Sequence, residues 1–225
     1  MKKIIDLTIT IEEGMTTFPV YWHPFVEVTQ MGRIGIEGRE TKKIIIGTHT
    51  GTNLDAPRHF IENGVTIDKI PAQDLVGQAL LVDLSHKKDY QAIEIEDLQD
   101  IPKNKYKIII LKYNWCKNLG KKKYYVSHPY LSENAAKFIL KKGVKIVAMD
   151  TPMPDNPKDN RESSKDSPIH KILLGKGCLI LECLRDINKI KKKEVTLVIA
   201  PLKLKNGDGA STRVFAIERK KKLVE

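Results

Sequence analysis

The stretch GTHTGTNLDAPRHF, from Gly47 to Phe60, places His49, Asp55 and His59 within eleven residues. Each of the three can bind a metal ion or move a proton. Gly51, Asn53 and Pro57 interleave them, and these are residues that shape backbone rather than fill a core. His49, Asn53, Asp55 and His59 are all odd-numbered, so an extended segment would turn all four side chains to one side. A helix would split them into two groups, because positions advance about 100° per residue. Gly51 and Pro57 also oppose a helix. The expected local structure is therefore a strand running into an irregular loop, with a converging polar face. A plainer reading stands beside it: a single histidine in a strand is usually a satisfied polar residue, and Asp-Ala-Pro alone is ordinary turn chemistry.

A second segment, SPIHKILLGKGCLILECLRDI over residues 167–187, supplies His170 and, twelve residues later, Glu182. Its pattern reads as a helix, a tight turn at Gly175-Lys176-Gly177 and a buried strand from Cys178 to Leu181. Glu182 follows directly on that apolar run. A carboxylate buried there without a partner is costly, so it calls for a cation. The alternative is a surface salt bridge.

These two segments, and several others in order, resemble the metal-dependent cyclase family of hydrolases, which includes the bacterial arylformamidases. The family is marked by H-x-G-T-H-x-D-A-P-x-H, and the chain has H-T-G-T-N-L-D-A-P-R-H from His49 to His59. The similarity continues through HFIENGVTIDKIP, LVGQALLVDLS, VAMDTP, SSKDSPIHKILLGKGCLILE and DGASTRVFAI. It implies an α/β fold made of a single domain over residues 1–225, with a central mixed, barrel-like β-sheet and peripheral helices. It also implies a site for one or two divalent metal ions, Zn²⁺ first and Mn²⁺ as the alternative. His49 and Asp55 would hold one ion, Asp55 would bridge to a second ion held by His170 and Glu182, and His59 would be the catalytic acid or base. The implied reaction is hydrolysis of a small formamide, amide or lactone, such as N-formylkynurenine, by metal-activated water. The implied assembly is a homodimer or higher homo-oligomer.

One position departs from the family pattern. Asn53 stands where the motif has its second histidine. As a ligand, its carbonyl oxygen would favour harder ions such as Mn²⁺ or Mg²⁺. As a bystander, it would leave His49 and the shared Asp55 too few donors for tight binding of another ion. A degenerate family member that binds a small molecule or a protein without turnover is the alternative to an enzyme.

Composition sets outer bounds. At 225 residues a single domain is the default. No stretch approaches the roughly 18 apolar residues of a membrane span. Asp6, Glu12 and Glu13 interrupt any export signal, and Cys116, Cys178 and Cys183 form no C-x-x-C pair. The expected location is therefore the cytoplasm, with reduced structural thiols. The net charge of +11 comes from scattered lysine runs at 121–123, 141–142, 191–193 and 220–222. No recognition helix or RNA-binding signature accompanies them, so neither nucleic acid nor a membrane is an expected partner. A small-molecule substrate is.

Strands are expected at Lys3–Ile9, Val26–Gln30, Lys42–Gly47, Ala79–Leu84, Lys107–Lys112, Val144–Met149, Cys178–Leu181, Val195–Ile199 and Arg213–Ile217. The clearest helix runs from Glu133 to Lys142, with Ser132 as N-cap and Gly143 just beyond. Its place between two strands predicts a βαβ unit. The polar, proline-rich loop at 151–168 reads as a lid or binding loop. Tyr21, Trp22, His23 and Pro24 offer either an aromatic wall for a planar substrate or, for Trp22, core packing. Thr50 and Thr52 are expected to serve packing or loop hydrogen bonds, and Gly51 close approach of the backbone to metal or substrate. His86 and His128 have no assigned role.

Overall fold

A computed structural model of the chain describes residues 3–159 and 166–218. The strands, in chain order, are β1 (Lys3–Asp6), β2 (Glu27–Gly32), β3 (Thr41–Ile45), β4 (Asn53–Asp55), β5 (Val76–Asp83) and β6 (Ala92–Ile93). They continue with β7 (Ile108–Lys112), β8 (Tyr130–Leu131), β9 (Ile146–Met149), β10 (Leu179–Glu182), β11 (Glu194–Pro201) and β12 (Gly209–Glu218). The helices are α1 (Ile34–Glu37), α2 (Lys122–Val126), α3 (Glu133–Lys141) and α4 (Pro168–Leu174).

The main sheet runs β1-β12-β11-β5-β7-β9-β10-β4, and β4 also pairs with β12. That last pairing closes the sheet on itself, with β1 attached along β12. The strands β5, β7, β9 and β10 are parallel, and β11, β12 and β4 join antiparallel. The mixed, barrel-like α/β architecture implied by the sequence is thus the observed one. The β7-α3-β9 segment is the expected βαβ unit, with β7 and β9 paired in parallel.

Alternation along the strands divides the apolar residues into two cores. Leu54, Leu81, Ile110, Ala148, Leu179, Leu181, Leu197 and Ala216 fill the inside of the closed sheet. Leu80, Ile109, Val147 and Ile180 face outward, where Ala135, Ala136 and Ile139 of α3 and Ile169, Leu173 and Leu174 of α4 cover them. Because side chains alternate, Glu182 must share the outer face with Ile180. By the same rule Asn53 and Asp55 lie outside while Leu54 points in. The barrel wall therefore delivers two carboxylates to the space under α4.

Several expected boundaries shift. The strand expected at Cys178–Leu181 is Leu179–Glu182, which brings Glu182 into the ladder opposite Asn53. The last strand is longer than expected, beginning at Gly209, and β4 is only three residues long. α3 starts as expected: the Ser132 side chain accepts from the Ala135 N–H at 3.1 Å. Gly143 follows with φ of 83°, the left-handed conformation that suits glycine after a helix. Residues 160–165 of the proline-rich loop and the lysines at 220–222 lie outside the described residues. Among the described residues no helix is long and apolar enough to cross a membrane.

Candidate active site

Segment 47–59 does bring its odd-numbered residues together, but not as one extended strand. Residues 48–52 form turns and bends, Asn53–Asp55 is strand, and Pro57–His59 is a single turn of 3-10 helix. Gly51 has φ of 62°, and a Cβ there would meet nothing closer than 3.8 Å. That left-handed backbone conformation favours glycine there. The even-numbered threonines act as expected. Thr50 Oγ1 accepts from Gly47 N, while Thr52 Oγ1 accepts from Ile9 N and donates to the Cys183 carbonyl.

The turn folds His49 back so that its Nδ1 lies 2.7 Å from Asp55 Oδ1. Asn53 Nδ2 donates to the same oxygen at 2.9 Å. His59 stacks on His49, with ring centroids 3.9 Å apart. Opposite them, α4 presents His170, whose Nε2 is 3.4 Å from Asp55 Oδ2 and 3.3 Å from Glu182 Oε1. All five sequence-predicted metal residues and His59 thus line one cluster, buried at Asn53, Asp55, His170 and Glu182 and partly open at His49 and His59.

Two residues of this cluster were not picked out from the sequence. Asp155 accepts from the Ile169 N–H at 2.6 Å, from the His170 N–H at 3.3 Å, and from His170 Nδ1. It thereby caps α4, whose own N-cap residue Ser167 makes no side-chain cap. An ionised carboxylate only accepts hydrogen bonds, so Asp155 fixes the proton of His170 on Nδ1 and leaves Nε2 for the cluster. Asp208, just ahead of β12, lies with Oδ2 2.8 Å from His49 Nε2 and 3.1 Å from His59 Nδ1. The DGAS stretch had been noted only for family likeness. The pairing of β12 with β4, which the sequence does not display, is what brings Asp208 to the two histidines.

The charges explain the protonation of the cluster. Burial works against a charged His49, but Asp55 and Asp208 on its two nitrogens lift it to about 10. Burial lowers His59, and the hydrogen bond to Asp208 only partly offsets this. Burial and the neighbouring Asp55 push Glu182 up to about 7, against the pull of His170. Burial would also raise Asp55 and Asp208, yet the histidines around each hold both carboxyls below the usual range.

The donor set fits a divalent cation. Asn53 Oδ1, Asp55 Oδ2 and Glu182 Oε1 are buried and have no hydrogen-bond partner. The two carboxylate oxygens face one shared imidazole nitrogen, His170 Nε2, at 3.4 and 3.3 Å. Two buried carboxylates converging on a single ring nitrogen are costly unless a further cation satisfies them. Ligand atoms of Asp55, His59 and His170 lie within 4.8 Å of one another, as do those of His49, His59 and Asp208.

Beside the cluster opens a cavity of about 380 Å³, within the usual range for small-molecule sites. Phe18, Trp22, His23, Phe60, Pro152 and Met153 line it with the site residues. Trp22 is 60 % exposed, so it belongs to the cavity rim and not to the core, while Tyr21 projects into solvent at 95 %. His23 is a rim residue, its Nε2 3.3 Å from the His49 carbonyl. His128 is buried away from the cluster against the Pro129 carbonyl, and His86 is an exposed partner of Asp97.

Known proteins show the same arrangement of sequence and fold. The family model described as "Putative cyclase" matches residues 5–156. The kynurenine formamidase of Geobacillus thermodenitrificans is 28 % identical, over 95 % of this chain and 96 % of its own. That of Bacillus cytotoxicus is 29 % identical, over 94 % and 95 %. A solved structure described as a potential metal-dependent hydrolase with cyclase activity superposes with a TM-score of 0.78 at 30 % identity, covering 98 % of this chain and all of that one. Isatin hydrolase A from Labrenzia aggregata shares the fold, with a TM-score of 0.84 at 23 % identity over 97 % and 94 % of the two chains. The chain belongs to the cyclase family of metal-dependent hydrolases.

Proposed function

We propose that this chain, acting as one domain, hydrolyses the C–N bond of a small formamide or amide, with an aryl formamide such as N-formylkynurenine as the leading candidate and lactones as related substrates. The observation that carries this reading is the pair of buried carboxylate oxygens, on Asp55 and Glu182, that converge on His170 Nε2 without a well-formed hydrogen bond, beside a small-molecule cavity lined by His170 and Glu182. Asp55, His170 and Glu182 would hold the ion. Zn²⁺ suits an imidazole with carboxylates, and Mn²⁺ accepts the same donors. A bound divalent ion supplies a water acidified towards neutrality and a charge that polarises the substrate carbonyl.

The remaining work falls to the protein. Burial keeps His59 neutral near pH 7, so it can take the proton of the attacking water and return it to the leaving nitrogen. Trp22, Phe18 and Phe60 offer apolar walls to a planar substrate. His170, fixed through Asp155, keeps Nε2 on the carboxylate pair. The relatives named for kynurenine formamidase activity, matched over nearly their whole length, support the choice of substrate.

A specific observation favours one firmly held ion over two. Towards His49 and Asp55, Asn53 presents its Nδ2 hydrogens, which cannot ligate. His49 already has both ring nitrogens against carboxylates. Exposed apolar side chains around the β2–β3 hairpin, including Phe25, Ile34, Ile36 and Ile44, support a homo-oligomer.

The test is a substrate panel of aryl formamides, cyclic amides and lactones, run on wild type and His59→Ala. Turnover of an aryl formamide should fall by about 10²–10⁴-fold in the variant, with bound metal retained. Unchanged turnover in the variant, or no hydrolysis of any panel member by metal-loaded wild type, contradicts the proposal.

A further inference from the structure

Asp208 has no place in the proposed metal site or in the proton transfer itself, yet its Oδ2 bridges a ring nitrogen of each of the two stacked imidazoles at their edge. The backbone holds it there. The Asp208 carbonyl accepts from the Ala56 N–H at 2.9 Å, next to Asp55. Gly209 then pairs with Asp55 and Ala210 with Leu54 in the β12–β4 ladder. On the other side, the Gly207 carbonyl accepts from the Ile67 N–H at 2.9 Å. Gly209 has no room for a side chain: a Cβ there would stand 2.7 Å from His49 Cε1. The chain therefore brings the Asp208 backbone against the imidazoles, with its carboxylate at their edge and partly open to solvent.

We infer that Asp208 is a positioning residue for His59: it holds the His59 proton on Nδ1, so that Nε2 carries the lone pair that the reaction needs. A neutral imidazole has one N–H and one lone pair, and the partner of one nitrogen decides which is which. Oδ2 of an ionised carboxylate accepts and cannot donate, so His59 Nδ1, 3.1 Å away, is the donor. Nε2 makes no hydrogen bond among the described residues and is left free as a base. Without the acceptor, the ring can take the opposite tautomer or turn about its side-chain bond, and either would take the lone pair away from its working position. The stacked His49 ring limits tilt but not tautomer. The same logic links Asp155 to His170, so the site sets two histidines with two carboxylates from different loops.

This inference rests on the reading of His59 as the proton carrier, and the experiment separates the two. The histidine ring nitrogens of ¹⁵N-labelled, zinc-loaded protein are read by NMR in wild type, Asp208→Ala and Asp208→Asn, alongside kcat, KM and zinc stoichiometry. In wild type His59 should be the Nδ1–H tautomer. In Asp208→Ala it should pass to the Nε2–H form or a mixture, kcat should fall about 10²–10⁴-fold as for loss of a histidine-orienting carboxylate, and KM and zinc content should hold. Asp208→Asn keeps an acceptor oxygen and should retain part of both the tautomer and the turnover, which guards against a folding defect in the alanine variant. A wild-type His59 protonated on Nε2 overturns the inference. So does an Asp208→Ala protein that keeps the wild-type tautomer and kcat, or one that loses its zinc and so marks Asp208 as a ligand. Undiminished turnover in His59→Ala would instead overturn the underlying reading, whatever the tautomer.

Discussion

Replacing Asp155 by alanine should damage stability and metal affinity together, and the structure gives the size of each effect. One carboxylate accepts from three donors: the backbone N–H groups of Ile169 and His170 and the His170 ring nitrogen Nδ1. Asp155 is 1 % exposed, so water is poorly placed to replace it. Each buried donor left without an acceptor costs about 1–3 kcal/mol, and loss of a helix cap about 0.5–2 kcal/mol. These costs overlap, because the two backbone donors are the cap. A net loss of about 2–4 kcal/mol is expected on urea unfolding of the metal-free protein. The second effect is specific to the site. With Nδ1 unheld, His170 no longer has a fixed tautomer or orientation, and loss of such a partner lowers metal affinity by about 10–100-fold. That corresponds to about 1.4–2.8 kcal/mol, readable by zinc titration against a competing chelator. Asp155→Asn keeps one acceptor oxygen for the Ile169 N–H and should recover part of the stability but little of the affinity. A folded Asp155→Ala protein that binds zinc as tightly as wild type would refute the claim that Asp155 prepares His170 as a ligand.

Two other substitutions probe the neighbouring geometry. Gly209→Ala puts a Cβ 2.7 Å from His49 Cε1 and 2.9 Å from the Leu54 carbonyl, and should cost about 1–3 kcal/mol in urea unfolding. Gly77→Ala, whose Cβ would meet only the Ile108 side chain, at 3.4 and 4.0 Å, is the matched control and should change stability far less. Asn53→His should raise zinc stoichiometry and aryl-formamide hydrolysis together. No gain in zinc on calorimetric titration would show that the amide is not what limits the His49 side of the site.

Much of this site could be read from local chemistry. His49, Asp55 and His59 stood out because ligand-type residues were packed into a segment whose Gly51 and Pro57 opposed a continuous α-helix, although Pro57 opens the short 3-10 turn that carries His59. Glu182 stood out because a carboxylate after CLIL has to meet a cation or water. A turn around the left-handed Gly51, and not one continuous strand, brings His49 onto Asp55. The sheet strands were legible from apolar runs, but β4 was not legible as a closing strand, because three residues carry no period of their own. Asp155 and Asp208 escaped notice for a related reason. Each sits in a polar turn-like stretch, PDNP and NGDG, where aspartate is unremarkable. Only barrel closure, which pairs β12 with β4, and the return of α4 across the sheet give those two carboxylates their histidines.

The central claim is that Asp55, His170 and Glu182 form the metal site. Elemental analysis of wild type and Asp55→Ala, purified in parallel and equilibrated with zinc, tests it most directly. Wild type should retain a divalent ion, and the variant should lose most of it, since Asp55 touches both the His49 side and the His170 side of the cluster. Full zinc occupancy in folded Asp55→Ala protein would contradict the account.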